Sequence, residues 1–99
     1  MPSDRLHFTW DSGKNADNKK KHGVDFTEAC SVFYDENAKL IDDLDHSGNE
    51  DRFIIMGLSA KFRVLLVCHC YRDNEDEIRI ISARKANKRE RRDYEQGQG

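Results

Sequence analysis

The stretch FRVLLVCHCY, Phe62 to Tyr71, predicts the strongest β-strand of the chain. Successive side chains of a strand point to opposite faces of the sheet. One face takes Phe62, Val64, Leu66, Cys68 and Cys70, and the other takes Arg63, Leu65, Val67, His69 and Tyr71. Because apolar side chains lie on both faces, we expect this strand at the centre of a sheet that is covered on both sides.

Other strands are predicted before and after this central one. Glu50–Leu58 carries apolar residues on both faces, and a polar turn at 73–76 leads into a last strand over Glu77–Ala83. Lys39–Leu44 is a possible short strand, and alternation over Leu6–Trp10 favours a short edge strand. The sequence therefore predicts an antiparallel sheet of about four strands.

Three helices are indicated by their end signals. Asp11 or Ser12 can cap a helix over 14–22, which is polar on nearly every face and which Gly23 ends. Asp25, followed three residues later by Glu28, has the spacing of a capping box for a second helix. Asn87 and Glu90 have the same spacing before a final helix over 88–95. Helices placed before and after a run of strands predict an α+β fold, with residues 1–99 as one domain.

Composition excludes several classes of protein. No run approaches the roughly 18–20 apolar residues of a membrane span, and the N-terminus lacks the apolar segment of a signal peptide, so we expect a cytoplasmic protein. Glycine-rich phosphate loops and zinc-type spacings are missing, and no cofactor is expected. Cys30, Cys68 and Cys70 are interpreted as reduced core cysteines. A metal site at Cys68-His69-Cys70 is disfavoured because His69 points away from its neighbours.

Positive charge is concentrated near the C-terminus. Residues 78–94 hold seven basic side chains against two acidic ones, a local charge of +5 in a chain whose net charge is -2. The rest of the chain therefore carries -7. Such asymmetry suits an acidic partner, most commonly nucleic acid, although a solvated helix face with internal ion pairs is an equal alternative.

Cleavage of RNA without a metal needs a base, an acid, and fixed cations for the developing phosphate charge. Arg79 is the most suggestive cation because it lies on a predicted strand among isoleucines. The alternative is a surface salt bridge to Glu77 or across to a neighbouring strand. Arg84 and Lys85 follow at the strand end, where loops collect function. Arg52 and Arg63 lie near strand starts, and for Arg63 we favour an ion pair with an acidic residue.

Two titratable residues in the acidic middle segment are candidates for proton transfer. Neighbouring aspartates would raise the pKa of His46 and make it an acid, and Glu50 could act as the base or could pair with an arginine. His22 is interpreted as a cation at a helix C-terminus. His69, inside the central strand, is interpreted as a hydrogen-bonded core histidine.

Several short segments, in order and over most of the chain, resemble the BrnT family of ribonuclease toxins. They are FTWD (8–11), KHGV (21–24), VFYD (32–35), DHS (45–47), EDR (50–52), GLS (57–59) and IRIISAR (78–84). The resemblance implies a RelE-like fold, with two N-terminal helices packed on the sheet, and a toxin that cuts RNA without metal. It also implies an antitoxin of the BrnA kind, a ribbon-helix-helix protein, with operator DNA bound only through the toxin–antitoxin complex.

The candidate site follows from the residues that match this pattern. The predicted catalytic residues are His46, Glu50, Arg52, Arg79 and Arg84. The predicted RNA-binding residues are Lys61, Arg63, Lys85, Lys88, Arg89 and Arg92. A non-catalytic module that binds nucleic acid or an antitoxin and acts as a co-repressor is the alternative function.

Overall fold

A computed structural model describes residues 6–42, 52–72 and 76–97 of the chain. The strands are β1 (His7–Thr9), β2 (Lys39–Asp42), β3 (Phe53–Leu58), β4 (Val64–Arg72) and β5 (Glu77–Lys85). The helices are α1 (Ser12–His22), α2 (Phe26–Ser31) and α3 (Lys88–Gln96), with a 3₁₀ turn over Val32–Tyr34 directly after α2. The predicted α+β class is confirmed. No helix in these ranges is long and apolar enough to cross a membrane.

The described strands form one mixed sheet in the order β1-β5-β4-β3-β2. β2, β3, β4 and β5 pair antiparallel, as the sequence predicts, and β4 is central. The sheet has five strands rather than about four, because β1 pairs parallel with β5, with Thr9 opposite Arg79. The prediction of a purely antiparallel sheet is wrong at this edge. β1 and β5 are the first and last strands in the sequence, so local sequence patterns do not reveal that they pair.

One face of the sheet carries the main hydrophobic core. Phe26, Ala29 and Val32, from α2 and the turn after it, are fully buried against this face. The strands contribute Leu65, Val67, Ile78, Ile80 and Ala83. This cluster holds more buried apolar side chains than the one on the opposite face, so it is the larger source of hydrophobic stabilisation in the described ranges.

The opposite face is covered at one end by α3. Tyr94, 5% exposed, packs there with Met56, Val64, Leu66 and Ala86. Its hydroxyl donates a hydrogen bond to the carboxylate of Asp35, a residue that follows the 3₁₀ turn. Tyr94 is therefore the apolar anchor of α3. We call this second face of the sheet, which α3 covers only at one end, the open face.

The helix caps fall where the sequence predicts them, with one exception. Asp11 and Asp25 accept backbone hydrogen bonds at the starts of α1 and α2, and Gly23 ends α1 with a φ of 70°. Asn87 and Glu90 form a complete capping box. The capping box predicted for Asp25 and Glu28 is wrong, because the Glu28 carboxylate turns to Arg63 and Ser59 instead.

Phe62 departs from the predicted central strand. Its side chain is 83% exposed and its φ is 63°, in the left-handed region that non-glycine residues rarely adopt. Phe62 belongs to the turn that joins β3 to β4, where its N–H donates to the carbonyl of Ser59. The strand therefore begins at Val64, two residues later than its apolar pattern indicates.

An irregularity in β5 decides which of its side chains share a face. His69 pairs with Ile80 whereas Cys68 pairs with Ser82, so Ile81 is an extra residue in the ladder. Such a bulge reverses the alternation beyond it. Arg79 and Arg84, an odd number of residues apart, consequently both lie on the open face, opposite Cys70 and Leu66 respectively.

Candidate functional site

A basic cleft of about 420 Å³ occupies the part of the open face that α3 leaves uncovered. Its walls carry four cationic side chains, each from a different part of the fold: Lys14, Arg52, Arg72 and Arg79. Cys70, Tyr71 and Ile81 complete the lining. No carboxylate belongs to the lining in the described ranges, so the cleft is suited to a polyanion.

The sheet fixes the positions of these cations. Arg79 lies in β5 directly opposite Cys70 of β4, and Arg72 lies two residues beyond Cys70 on the same face. Arg52 directly precedes β3. Lys14 reaches the cleft from the first turn of α1, beside the bulge residue Ile81. Guanidinium groups held on paired strands can present several donors to one phosphate without first being ordered.

The alternative role of Arg79, a salt bridge to Glu77, is absent from the structure. The Glu77 carboxylate accepts a hydrogen bond of 2.7 Å from the hydroxyl of Thr9. Arg79 makes no ion pair with any residue in the described ranges. Its half-buried side chain therefore keeps its charge available to a ligand in the cleft.

Arg84 shares the face of Arg79 but not the cleft. It lies opposite Leu66, four residues along β4 from Cys70, which is about 13 Å at the usual rise of a strand. Its guanidinium donates two hydrogen bonds of 2.9 Å to the carboxylate of Glu90. This pairing raises the pKa of Arg84 and lowers that of Glu90. The structure thus brings Arg52 and Arg79 together and places Arg84 with the start of α3.

The residues predicted to bind RNA lie at the other end of the sheet. Lys61 is exposed in the turn between β3 and β4, and Lys85, also exposed, lies opposite Leu65 near that turn. Lys88, Arg89 and Arg92 are exposed on α3. We call the three exposed cations of α3, Lys88, Arg89 and Arg92, the second basic region, which is separate from the cleft.

Arg63 forms an ion pair with an acidic residue, Glu28, as the sequence analysis predicts. Its guanidinium donates to both oxygens of Glu28 and, at 3.2 Å, to the carbonyl of Gly23. Burial would raise the pKa of Glu28, but the hydrogen bonds from Arg63 and from the hydroxyl of Ser59 outweigh it and hold that pKa below its usual value. Arg63 therefore ties α2 to the turn before β4.

His46 and Glu50, the predicted acid and base, lie outside the described residues, and their roles stay predictions. His69 is fully buried, with Nδ1 3.1 Å from the carbonyl of Val67 and Nε2 3.3 Å from the hydroxyl of Tyr71. Burial lowers its pKa, so it is a neutral core histidine, as predicted.

The cysteines are half-buried and none is in a disulfide. Burial raises the pKa of the Cys30 thiol to about 11, which makes it a packing group at neutral pH. Within the described ranges, no three side chains of the metal-binding types come together.

Sequence reasoning missed two of the cations in the cleft. Arg72 directly follows the predicted strand Phe62–Tyr71, and its two-residue spacing from Cys70 could have placed it on the same face. Lys14 begins the predicted polar helix over 14–22. No local signal could have brought it to the cleft, because that depends on how α1 packs beside the edge of β5.

Comparisons with known proteins agree with this architecture. A family model described as the ribonuclease toxin BrnT of type II toxin–antitoxin systems matches residues 10–90. The chain is also similar to the crystal structure of the Brucella abortus ribonuclease toxin BrnT, with a TM-score of 0.64 and 22% identity. That likeness covers 85% of this chain and all of the other, and it supports the α+β fold. A comparison with curated proteins found no match.

Proposed function

Since the chain belongs to the BrnT family of ribonuclease toxins of type II toxin–antitoxin systems, we propose that it cleaves RNA in the basic cleft without a metal ion. The observation that carries this proposal is the convergence of Lys14, Arg52, Arg72 and Arg79 on one cavity. A scissile phosphate held among them gains most stabilisation when its charge is greatest, in the transition state.

The three arginines of the cleft have roles that their positions suggest. Arg79 and Arg72, on neighbouring strands, hold the non-bridging oxygens of the scissile phosphate, and Arg52 approaches from β3. His46 and Glu50 exchange protons with the attacking 2′-hydroxyl and the leaving oxygen. Fixed guanidinium groups stabilise the developing charge, which is the contribution that a metal ion makes in other nucleases.

Cleavage of labelled RNA by purified protein in excess EDTA tests the proposal. Arg79→Ala is expected to lower the cleavage rate about 10²-fold, the usual effect of removing one donor to a developing oxyanion. Arg84→Ala is the matched control, since it removes the same charge from the same strand and face. The predicted catalytic role of Arg84 is decided by the same assay, because equal losses in the two variants would contradict the assignment to the cleft.

Growth provides a second readout. Induced expression of the wild-type chain should stop growth of a bacterial host, and Arg79→Ala should relieve this with an unchanged circular dichroism spectrum. RNA that remains intact in EDTA but is cut after magnesium is added would contradict the metal-free mechanism. RNA that is bound but never cut would favour the non-catalytic module.

The second basic region is the proposed contact for the antitoxin that a type II toxin requires. Lys88, Arg89 and Arg92 are exposed on α3, away from the cleft, and are suited to an acidic segment of a BrnA-like ribbon-helix-helix protein. Charge reversal at Lys88 and Arg92 should weaken neutralisation in co-expression while RNA cleavage persists. Unchanged neutralisation would return these residues to the RNA-binding role predicted for them.

A further inference from the structure

We propose that single-stranded RNA leaves the basic cleft over the bulge of β5 and follows α1, where Lys14 and Lys21 bind its phosphates. This inference rests on the proposed function, since it extends the same site to the nucleotides that flank the scissile bond. We call the surface formed by Lys14, Lys20, Lys21 and His22 the α1 track.

The α1 track is continuous with the cleft. A second cavity, of about 560 Å³, is lined by the α1 track together with Ile81 and Ser82 of β5, and by Asp17 and Asn18. Lys14 and Ile81 line both cavities. A strand whose phosphate lies beside Arg79 therefore has an open path across the bulge to α1.

The spacing along α1 suits successive phosphates. Lys14 and Lys21 are seven residues apart, two helical turns, and so lie on one face. The rise between them is about 10 Å, which spans about three phosphates at the 3.4 Å axial spacing of a stacked strand. Asp17 is the only acidic residue of α1, so positive charge predominates along this face.

The position of Lys14 is not explained by the stability of the helix. A cation in the first turn opposes the positive end of the helix dipole, a cost of about 0.3–1 kcal/mol, and α1 has no acidic residue in its first turn. A local choice that opposes stability is a sign of function. Lys14 is also the residue that joins the cleft to the α1 track.

Cations in the last turn of α1 have an alternative explanation, which Lys19 illustrates. They complement the negative end of the dipole, and Lys19 also pairs with Asp25 at 3.5 Å. Lys20 and Lys21 make no ion pair with the residues that the structure describes, and both line the second cavity, which Lys19 does not. The same helix thus contains one paired lysine and two that are available to a ligand.

RNA is favoured over the antitoxin as the occupant because of this continuity. An acidic protein segment on the α1 track would need to extend into the cleft, where the scissile phosphate is proposed to bind. A single RNA strand occupies both regions with one repeating charge. The antitoxin is retained as an outcome of the test.

The test measures binding of 2′-O-methyl RNA, which lacks the attacking hydroxyl, to the full chain by fluorescence anisotropy. Oligonucleotides of ~4 and ~16 nucleotides span the range of known single-strand sites. Lys21→Ala is expected to weaken binding of the longer one about fivefold at ~0.1 M salt and to reduce the salt slope by about 0.7. Lys19→Ala, the same charge change on the same helix, should have little effect, and Asp17→Asn should tighten binding.

The outcomes separate this inference from the proposed function. Binding that depends on length and on Lys21 supports the α1 track even if the wild-type protein cuts no RNA, which would contradict the catalytic proposal alone. Equal effects of Lys21→Ala and Lys19→Ala, or no tightening by Asp17→Asn, would overturn the track even if cleavage is efficient. Loss of antitoxin neutralisation by Lys21→Ala with unchanged RNA binding would also overturn it and assign the surface to the antitoxin.

Discussion

At the scale of single residues, the contact between Glu28 and Arg63 shows how one buried charge can hold distant parts of the chain together. Glu28 is 6% exposed and Ser59 is 4% exposed. The Ser59 hydroxyl donates to Glu28 at 2.7 Å, and the Arg63 Nε donates to the same oxygen at 3.0 Å. The carboxylate is therefore buried only because both donors are present.

Arg63→Ala is expected to lower the free energy of unfolding by about 2–4 kcal/mol, because it leaves the Glu28 carboxylate buried without its cation. Lys61→Ala is the matched control. It removes a positive charge from the same turn. Because the Lys61 side chain is exposed, the free energy of unfolding should change by less than about 0.5 kcal/mol. Urea denaturation of both variants checks the prediction, and equal midpoints would show that the ion pair contributes no net stability.

The sequence could predict an acidic partner for Arg63 but not which one. Glu28 was assigned to a capping box because a partner three residues away is the only one that local sequence reveals. Its actual partners are 31 and 35 residues away. Contacts of this kind depend on how α2 packs on the sheet, which no periodicity in the sequence encodes.

At the scale of secondary-structure elements, α1 protects the edge of β5 that β1 is too short to cover. The Asn18 amide donates to the carbonyl of Ala83 at 2.8 Å, and the Ala83 N–H donates to the Asn18 oxygen at 3.1 Å. Asn18 also donates to the carbonyl of Val24 at 3.0 Å. One side chain therefore replaces a neighbouring strand at this position.

Asn18→Ala is expected to lower the free energy of unfolding by about 2–4 kcal/mol, since it leaves buried backbone groups of Ala83 and Val24 without partners. The exposed edge of β5 should also promote association of the protein. Thermal denaturation and light scattering measure the two effects. Asp17→Ala, its exposed neighbour, is the control, and a variant as stable and monodisperse as this control would contradict the role of Asn18.

The helix α3 depends on a polar contact as well as on its apolar anchor. Asp35 accepts hydrogen bonds from the Tyr94 hydroxyl and, at 2.8 Å, from the N–H of Leu58. Tyr94→Phe should cost about 1.5–3 kcal/mol, the usual range for a hydrogen bond to a charged group. Tyr34→Phe, at a side chain that is 58% exposed, should cost much less. Calorimetry of both variants tests this, and equal melting temperatures would show that the apolar ring alone anchors α3.

Element positions were more predictable than their pairings. The starts of α1, α2 and α3 follow from N-caps at Asp11, Asp25 and Asn87, which act over a few residues. The parallel pairing of β1 with β5 and the bulge at Ile81 depend on the whole sheet. The sequence could therefore nominate Arg52 and Arg79, but it could not show that the bulge puts Arg84 on the face of Arg79 or that Lys14 reaches the cleft.

At the scale of the whole molecule, one face of the sheet is divided between stability and binding. α3 covers one end of this face with a tyrosine-centred cluster, and the basic cleft occupies the other end. Stability and ligand binding are thus carried by different side chains on the same strands. Substitution of a cation in the cleft should therefore alter RNA binding without loss of the fold.

The ionisable groups of the fold predict a loss of stability in acid that occurs in two stages. Burial lowers the pKa of His69 from its ordinary value of 6.5. Because the unfolded chain binds this proton more readily, the contribution of His69 to stability is complete above pH 6.5. It declines as the pH falls toward the folded pKa, with a slope of at most about 1.4 kcal/mol per pH unit.

The second stage belongs to carboxylates whose pKa values are lowered by hydrogen bonds in the folded protein, namely Asp25, Glu28, Asp35 and Glu90. Their contribution is complete above their ordinary values of 4.5 for Glu and 3.8 for Asp, and it is lost below them.

Urea denaturation across the acid range separates the two stages. His69→Gln lowers stability at neutral pH, since it disturbs packing against Phe33 at 4.8 Å between ring centroids, but it should remove the first stage. The carboxylate stage should remain in this variant, because it is carried by other elements. Glu28→Gln should show the reverse, a smaller loss below pH 4.5 with the first stage intact. If His69→Gln retains the full slope just below pH 6.5, the proton responsible binds elsewhere in the unfolded chain, and the neutral buried histidine does not control the stability of this fold in mild acid.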